Sequence, residues 1–494
     1  MNCDQLHEVE IPLNSELATI NRFAFRYSSI ERITIPPHLT EIKEETFQHC
    51  QKLHEVKFAP NSELKTIGTE SFELTAIEFI SLPSSVTQIG INAFNYCKDL
   101  REVRIDENSN LSVIEGRAFA YSGLETFSVP SRTKQIKEAA FSFCRNLKEF
   151  IFPPKSELKV IECSLFTNSG LVSITIPDYI TKISEYAFNE CLNLGEVIFS
   201  EGSKLSVIEK GSFYNTAIQE IKIPNHVTEI QESTFEGCSL LRSVELQQNS
   251  EMKKIEKLAF NDSSIESLTI PSSLVEFENG WCNRTLNLSK VNVMPGNLHF
   301  KYFEDQFILG KSSLENDVFD ILIFSRRNLS VAKIPDFIET IAPYSFDECC
   351  LLSHVEFLGD SKLKKIDSSA FKFDRFLKIA LPTHLKEIGI QSFYGSSLSK
   401  IVINEDAELE SIGESAFENS CVTSFHVTKH LKYIGNGAFA SIGKFKIIEI
   451  PEFSILENIN LNMLNKFYET LLMIPVAFKD KIIAFEEENS GEWS

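Results

Sequence analysis

The stretch LPSSVTQIGINAFNYC, residues 82–97, decides the fold. It runs from Pro83 to Phe94-x-x-Cys97, and its apolar residues Val86, Ile89 and Phe94 are spaced for neither a helix nor a single strand. Versions of it recur as IPPHLTEIKEETFQHC (35–50), IPDYITKISEYAFNEC (176–191) and IPNHVTEIQESTFEGC (223–238). Between them lies a second kind of unit, such as NSELKTIGTESFELTAI (61–77) and GSKLSVIEKGSFYNTAI (202–218). Internal repetition at such a period is the signature of a solenoid or array.

The Phe that closes each unit serves as an origin: Phe25, Phe47, Phe72, Phe94, Phe119, Phe141, Phe166, Phe188, Phe213, Phe235 and Phe260. Their spacings alternate between 22 and 25, a period of 47 built from two unlike units. Pro36, Pro83, Pro130, Pro177, Pro224 and Pro271 keep the same step of 47, as do Cys3, Cys50, Cys97, Cys144, Cys191 and Cys238. After a Phe with Cys three residues on, an apolar triplet follows at +6, +9 and +11, as in Leu53, Val56 and Phe58; otherwise it falls at +5, +8 and +10, as in Ile30, Ile33 and Ile35. Cys282 takes the next origin, with Leu288, Val291 and Val293 on schedule. Phase is then lost, returns at Phe346, Phe371, Phe393, Phe417 and Phe439, and fits a last degenerate origin at Leu464, with Leu472, Ile474 and Pro475 in register, for 18 units in all.

The end of each triplet alternates as a short strand with one buried face would. Proline after it cannot donate to a ladder and ends the pairing. The xxAF segment is too short for a stable isolated helix and is assigned one helical turn per coil. Each coil cannot bury its own apolar side, so stacking makes one core and a parallel sheet on one face. The organisation expected is a first array over 1–293, an inserted β-hairpin over 294–331 (two apolar runs around a polar turn), a second array over 332–475, and an acidic tail over 476–494.

The pattern L-x-x-[IV]-x-[IF]-P-x-x-[VL]-x-x-I-x-x-x-A-F-x-x-C resembles the BspA-like leucine-rich repeat of bacterial and protist surface proteins, and FILGKSSLENDVFDILIFSRR resembles a segment within protist members. The resemblance spans nearly the whole chain. It implies a leucine-rich-repeat solenoid that binds other molecules, often in adhesion at a cell surface to a protein, host or extracellular-matrix ligand. It carries no catalytic motif and no cofactor.

Composition narrows the partners. Phe is in excess, 40 against 11 Tyr and 2 Trp, which suggests one structural role used many times. A formal net charge of −21 argues against nucleic acid or an anionic lipid surface. The first residues, MNCDQLHEVEIPL, lack the basic start and apolar run of a signal peptide, and no apolar run reaches about 18 residues, so membrane insertion is not expected. Location stays open between the surface, which the resemblance implies, and the cytoplasm. Asn110, Asn261, Asn283, Asn287 and Asn328 each begin a sequon, whereas 11 cysteines without evident pairing suit a reducing compartment.

Candidate chemistry dissolves into repetition. Disulfides, metal sites and reactive thiols were the alternatives for Cys, but equivalent positions two coils apart stand about 10 Å apart, beyond disulfide reach. Ser28, Ser122 and Ser169 take the place on intervening coils, so the position reads as a small residue at a tight turn. His38, His226, His384 and His430 share one turn position, and Cys349–Cys350 lacks a second pair at zinc spacing. Gly310-Lys311-Ser312 ends like a phosphate loop, but Asp305 stands where the upstream glycine belongs; a nucleotide-dependent protein using 300–331 is the remote alternative.

The outward strand positions are the candidate binding face. Glu31, His54, Glu78, Arg101, Glu125 and Lys148 alternate in sign on successive coils, which predicts cross-strand pairing. The adjacent column carries Glu55, Glu102, Glu149 and Glu196 on alternate coils, with Phe79 between the first two. These five are the expected contact residues: an acidic stripe for a basic or polar partner. Because Cys3 is in the register of Cys50, the chain is expected to open part-way through a coil, which implies either end-to-end self-association or a start site placed too far downstream.

Overall fold

The structure, a computed structural model, describes residues 5–457 apart from 13, 14, 107, 316, 444–446 and 453, together with the backbone of 459–460, 471–473 and 482–483. Cys3, Leu464, Ile474, Pro475 and nearly all of the tail 476–494 lie outside the described residues. Two compact units are present, Met1–Ile265 and Glu266–Ser494.

Each coil of the first unit lays its apolar triplet down as a strand. Arg32–Ile35 pairs in parallel with Glu55–Phe58, and Phe79–Leu82 with Glu102–Ile105, residue for residue: Ile33 opposite Val56, Ile80 opposite Val103. Alternate residues are buried, so Ile30, Ile33, Ile35, Leu53 and Val56 lie in the core. The proline that follows ends the strand, and the core pair behind it starts a second ladder of two-residue strands. There Ile42, Ile67, Ile89, Ile114 and Ile136 are register partners in turn, and all are buried. The solenoid of parallel sheets expected from the arithmetic is therefore present.

The helical turn is not. No helix occurs among the described residues. In the opening stretch, Ala93 N–H donates to Gly90 O (3.2 Å), Asn95 to Asn92 (3.0 Å) and Cys97 to Phe94 (3.2 Å), while the alternate donors Asn92, Phe94 and Tyr96 reach Gly116 (3.1 Å), Ala118 (2.7 Å) and Ala120 (2.9 Å) of the next coil. This is a run of β-turns stacked as a third ladder. Asn92 (φ 52°) and Tyr96 (φ 57°) are left-handed, the conformation a type II turn requires at its third residue. The same two places, −2 and +2 from the Phe, are left-handed at Glu45 and His49, Arg117 and Tyr121, and Ser369 and Phe373. A helix would spend every N–H within its own coil; the turns send half of them to the next one.

Most of these places hold residues with a Cβ, at roughly 1–2 kcal/mol each. Gly211 (φ +59°) is an exception, and a Cβ there would also lie 2.5 Å from the Tyr186 ring of the preceding coil. Gly211→Ala is expected to lower stability by about 1–2 kcal/mol, read as a fall in the thermal midpoint with an unchanged circular-dichroism spectrum.

The excess of Phe is explained by one column. Phe25, Phe47, Phe72, Phe94, Phe119 and Phe141 stack face to face with centroids 5.2–5.3 Å apart. The step from Phe141 to Phe166 widens to 6.1 Å where Phe150 packs edge-on against both rings, and the stack resumes at 5.3 Å with Phe188.

In the second unit, Ser267–Ile270 pairs in parallel with Lys290–Val293. The insertion forms three antiparallel strands, Phe300–Phe303, Phe307–Gly310 and Ile321–Ser325, of which the last two are the expected hairpin. Ile321–Ser325 then joins the short-strand ladder by pairing in parallel with Thr340–Ile341. Phe324 behaves as one more origin, 22 residues before Phe346, with Leu329, Ala332 and Ile334 buried at +5, +8 and +10. Beyond it the ring column continues through Phe346, Phe371, Phe393, Phe417 and Phe439 at 4.7–5.4 Å.

Candidate functional site

The five expected contact residues each open a main strand and stand on its outward face. Glu55, Phe79 and Glu102 begin Glu55–Phe58, Phe79–Leu82 and Glu102–Ile105; Glu149 and Glu196 begin Glu149–Ile151 and Glu196–Phe199. They do not form one uniform stripe. Glu55 is bonded by Lys57 two residues on (2.6 Å), which holds its carboxyl below the usual range. Glu102 accepts both forks of Arg104 at 2.9 Å, with the same result, and the guanidinium also lies 5.6 Å from the centre of the Phe79 ring. This end of the face is charge-balanced, and Phe79 has a cation over it.

Glu149 and Glu196 differ. Their strand partners are Thr126 and Ser173, and among the described residues neither forms an ion pair. The third residues of their strands, Ile151 and Ile198, are 44% and 45% exposed, and Val172 beside them is 51% exposed. Thr175 is the partner of Ile198, so the patch holds apolar, hydroxyl and carboxylate groups, with exposed Lys148 before Glu149 and not paired to it. Sequence reasoning placed the carboxylates but overlooked the isoleucines and the neutralising Lys57 and Arg104. The signal lay two residues along, since i and i+2 share a face of a strand.

The expected alternation of charge is corrected in one respect. Its backbone register holds: His54 N–H donates to Glu31 O, Arg101 to Glu78 and Lys148 to Glu125. Among the described residues its side chains pair along the column at one step, where His7 of the preceding coil meets Glu31 at 3.7 Å, and the other five form no ion pair within 4.0 Å. Exposed charges gain about 0–1 kcal/mol from pairing, too little to order long side chains across strands.

The other candidates are structural. Cys97 Sγ donates to Phe72 O (3.0 Å) and lies 3.3 Å from Thr75 Oγ1 in the preceding coil; Cys144 repeats this with Phe119 O and Ser122. Burial pushes both thiols up to about 11, so they stay protonated. Three of the four turn histidines meet an acid of the next coil: His38–Glu63 (3.5 Å), His226–Glu251 (3.1 Å) and His384–Glu408 (3.1 Å). Ser312 gives its N–H (2.8 Å) and its hydroxyl to the Asp320 carboxylate, and Lys311 lies over the Phe319 ring (4.8 Å), so the groups that would hold a phosphate are engaged. No group of three His, Cys, Asp or Glu disposed to hold a metal occurs among the described residues, nor does a helix long and apolar enough to cross a membrane.

Six overlapping stretches, 1–101, 65–195, 159–289, 206–321, 319–446 and 364–486, match the BspA type leucine rich repeat region. The chain belongs to the BspA-type leucine-rich repeat family. Among solved structures, the chain is similar to a leucine-rich repeat protein from Bacteroides ovatus, at 21% identity over 92% of this chain and 87% of that one (TM-score 0.45). A leucine rich cell surface protein from Faecalibacterium prausnitzii follows at 20% over 67% and 79% (TM-score 0.33), and the pneumococcal vaccine antigen PcpA at 18% over 83% and 89% (TM-score 0.36). No curated protein matches the chain. The BspA-type repeat builds a surface suited to protein–protein interaction.

Proposed function

We propose that this BspA-type chain is a non-enzymatic protein-binding module of the adhesion kind, which holds a basic, partly apolar segment of a protein partner on the outward face of its main strands. The observation that carries this is the patch around Glu149 and Glu196, where two carboxylates without ion pairs flank exposed Ile151 and Ile198. Lysine or arginine of the partner would meet the carboxylates while its apolar side chains cover the isoleucines, the arrangement of charge and anchor found at interfaces. Glu55, Phe79 and Glu102 extend the contact. On the array 332–475 side, the insertion 294–331 offers a second contact through exposed Leu314 and Val318.

A pull-down with the full chain tests this. Partners retained by wild type are expected to be lost, with affinity down about tenfold or more, from Glu149→Lys/Glu196→Lys. An unchanged set of partners would defeat the reading.

An intracellular scaffold is the second reading, favoured by ten described cysteines that are all free. Asn110, Asn287 and Asn328 are exposed, so passage through a glycosylating route would mark them. Cell fractionation with a glycosidase mobility shift separates the two: unglycosylated protein wholly in the cytosol removes the adhesin.

A further inference from the structure

One group of positions departs from the repeat in concert. In the first unit the residue four after the Phe of each Cys-bearing coil is Gln51, Lys98, Arg145, Leu192 and Ser239, so of these only the coils of Phe94 and Phe141 carry a cation there. The residue two after the Phe is aromatic on those same coils and on the one between: Tyr96, Tyr121 and Phe143, followed by Asn168 and Glu190.

The structure makes these departures one place. Tyr96 and Tyr121 stack at 4.3 Å, Tyr121 and Phe143 at 4.5 Å. The middle coil is a residue shorter, reaching Leu124 five steps after Phe119 where Leu100 lies six after Phe94. Gly123 permits the retreat, since a Cβ there would sit 2.1 Å from Lys98 O. The result is a notch of about 330 Å³, with Gly123 at its floor, the three rings along one side, and Lys98 and Arg145 on the coils to either side.

Its chemistry has one sign. Lys98 and Arg145 are exposed, and among the described residues neither forms an ion pair. Both faces of Tyr121 are covered by neighbouring rings, so the surface it still exposes is its rim, the positive part of an aromatic quadrupole. Burial and Tyr96 raise the Tyr121 hydroxyl above its usual range, against the pull of Arg117 and Arg145. In a chain of net charge −21, a pocket of two unpaired cations and ring edges is a local exception.

We propose that this notch is a binding site for an oxyanion group, carboxylate or sulfate, carried on a small ligand such as an acidic sugar. The cations take the oxygens as charge-assisted donors, and the tyrosine hydroxyls add neutral ones. It lies on the turn ladder rather than on the strand face, so it is independent of the partner surface proposed above.

Isothermal titration of the full chain with glucuronate, galactose 6-sulfate and galactose tests it. Saturable binding is expected for one or both acidic sugars, with Kd on the order of 1 mM, and none for galactose; which acid binds tells carboxylate from sulfate. Lys98→Gln/Arg145→Gln should weaken binding about tenfold or more, while Lys204→Gln/Lys253→Gln, an equal change of charge at exposed positions elsewhere, and Glu149→Lys/Glu196→Lys should not weaken it. The proposal falls if neither acidic sugar saturates, if the notch variant binds like wild type, or if galactose binds equally well.

Discussion

Phe94→Ala is expected to destabilise the first unit by about 3–5 kcal/mol, with the damage spreading to the coils on either side. Phe94 is fully buried and touches its neighbours through both faces, 5.3 Å from Phe72 and 5.3 Å from Phe119. Truncation removes the ring's transfer free energy and two stacking contacts, and leaves a cavity between backbones. Those backbones cannot collapse into it, because Phe94 N–H donates to Ala118 O and Phe72 N–H to Ala93 O, which fix the spacing of the coils. In a solenoid, stability is a sum of nearest-neighbour terms, so the loss concentrates locally. Hydrogen exchange followed by mass spectrometry should show protection lost in peptides covering Phe72 to Phe119 and kept around Phe188 to Phe235. Phe94→Leu, which refills much of the volume, should cost less than about 1.5 kcal/mol. Uniform loss of protection along the unit would mean that it unfolds as one block.

How far the molecule was legible from its residues depends on which force decides each part. Val86, Ile89 and Phe94 announce themselves because burial of apolar groups recurs with the period and needs no knowledge of the neighbouring coil. The turn conformation was hidden because Glu45, Leu74 and Tyr96 have no preference for the left-handed region; it is imposed by hydrogen bonds to the next coil, which exist only after stacking. Local propensity predicted a helical turn, and tertiary bonding overrode it. The five face residues were placed correctly on the outward side by strand alternation. Their electrostatics were not, since Glu102 is governed by Arg104 on its own strand rather than by a neighbouring coil. Phe324 escaped notice for a different reason: the residue three after it, a small Ser, Thr or Cys in most coils, is Arg327.

That substitution sets up the second large effect. Arg327 is buried, 22 residues before Cys349, in the place where Ser28 or Thr75 would face a cysteine. Its guanidinium lies over Phe324 (4.7 Å) and donates to Ser345 O (3.1 Å), Cys349 Sγ (3.5 Å) and Cys282 Sγ (3.8 Å). Burial pushes the Cys349 thiol up to about 12 and the Cys282 thiol to about 11, so near neutrality both are uncharged and cannot balance the cation. The acids that Arg327 acts on are Asp347 and Asp374, both buried. Burial raises the Asp347 carboxyl to about 6, against the pull of Arg327, and raises Asp374 well above the usual carboxylate range. Glu348 adds to the rise at Asp347, while Lys372 and Arg284 oppose it.

For an acid whose pKa is raised by folding, the stabilising contribution is fully present below the unfolded pKa and is lost as pH climbs through the folded one. Through Asp347, wild type should therefore lose stability in this unit between about pH 4 and pH 6, opposite to ordinary acid denaturation, and Asp374 acts in the same direction. Arg327→Met removes the cation that tempers both carboxyls. Their folded pKa values rise further, and more stability is lost at high pH. The variant is expected to be less stable than wild type by about 3–5 kcal/mol near pH 8, where the buried carboxyls must either ionise without their counter-charge or hold protons that the unfolded chain releases. Near pH 4 both carboxyls are protonated, and the deficit should shrink to about 1 kcal/mol, because Met refills the volume. Urea unfolding followed by the fluorescence of Trp281, which is buried with its ring 5.8 Å from that of Phe324, reads this region directly. Equal deficits at the two pH values would show that Arg327 acts through packing alone, and Asp347→Asn in the Arg327→Met background should restore part of the loss at pH 8 but none at pH 4 if charge is the cause.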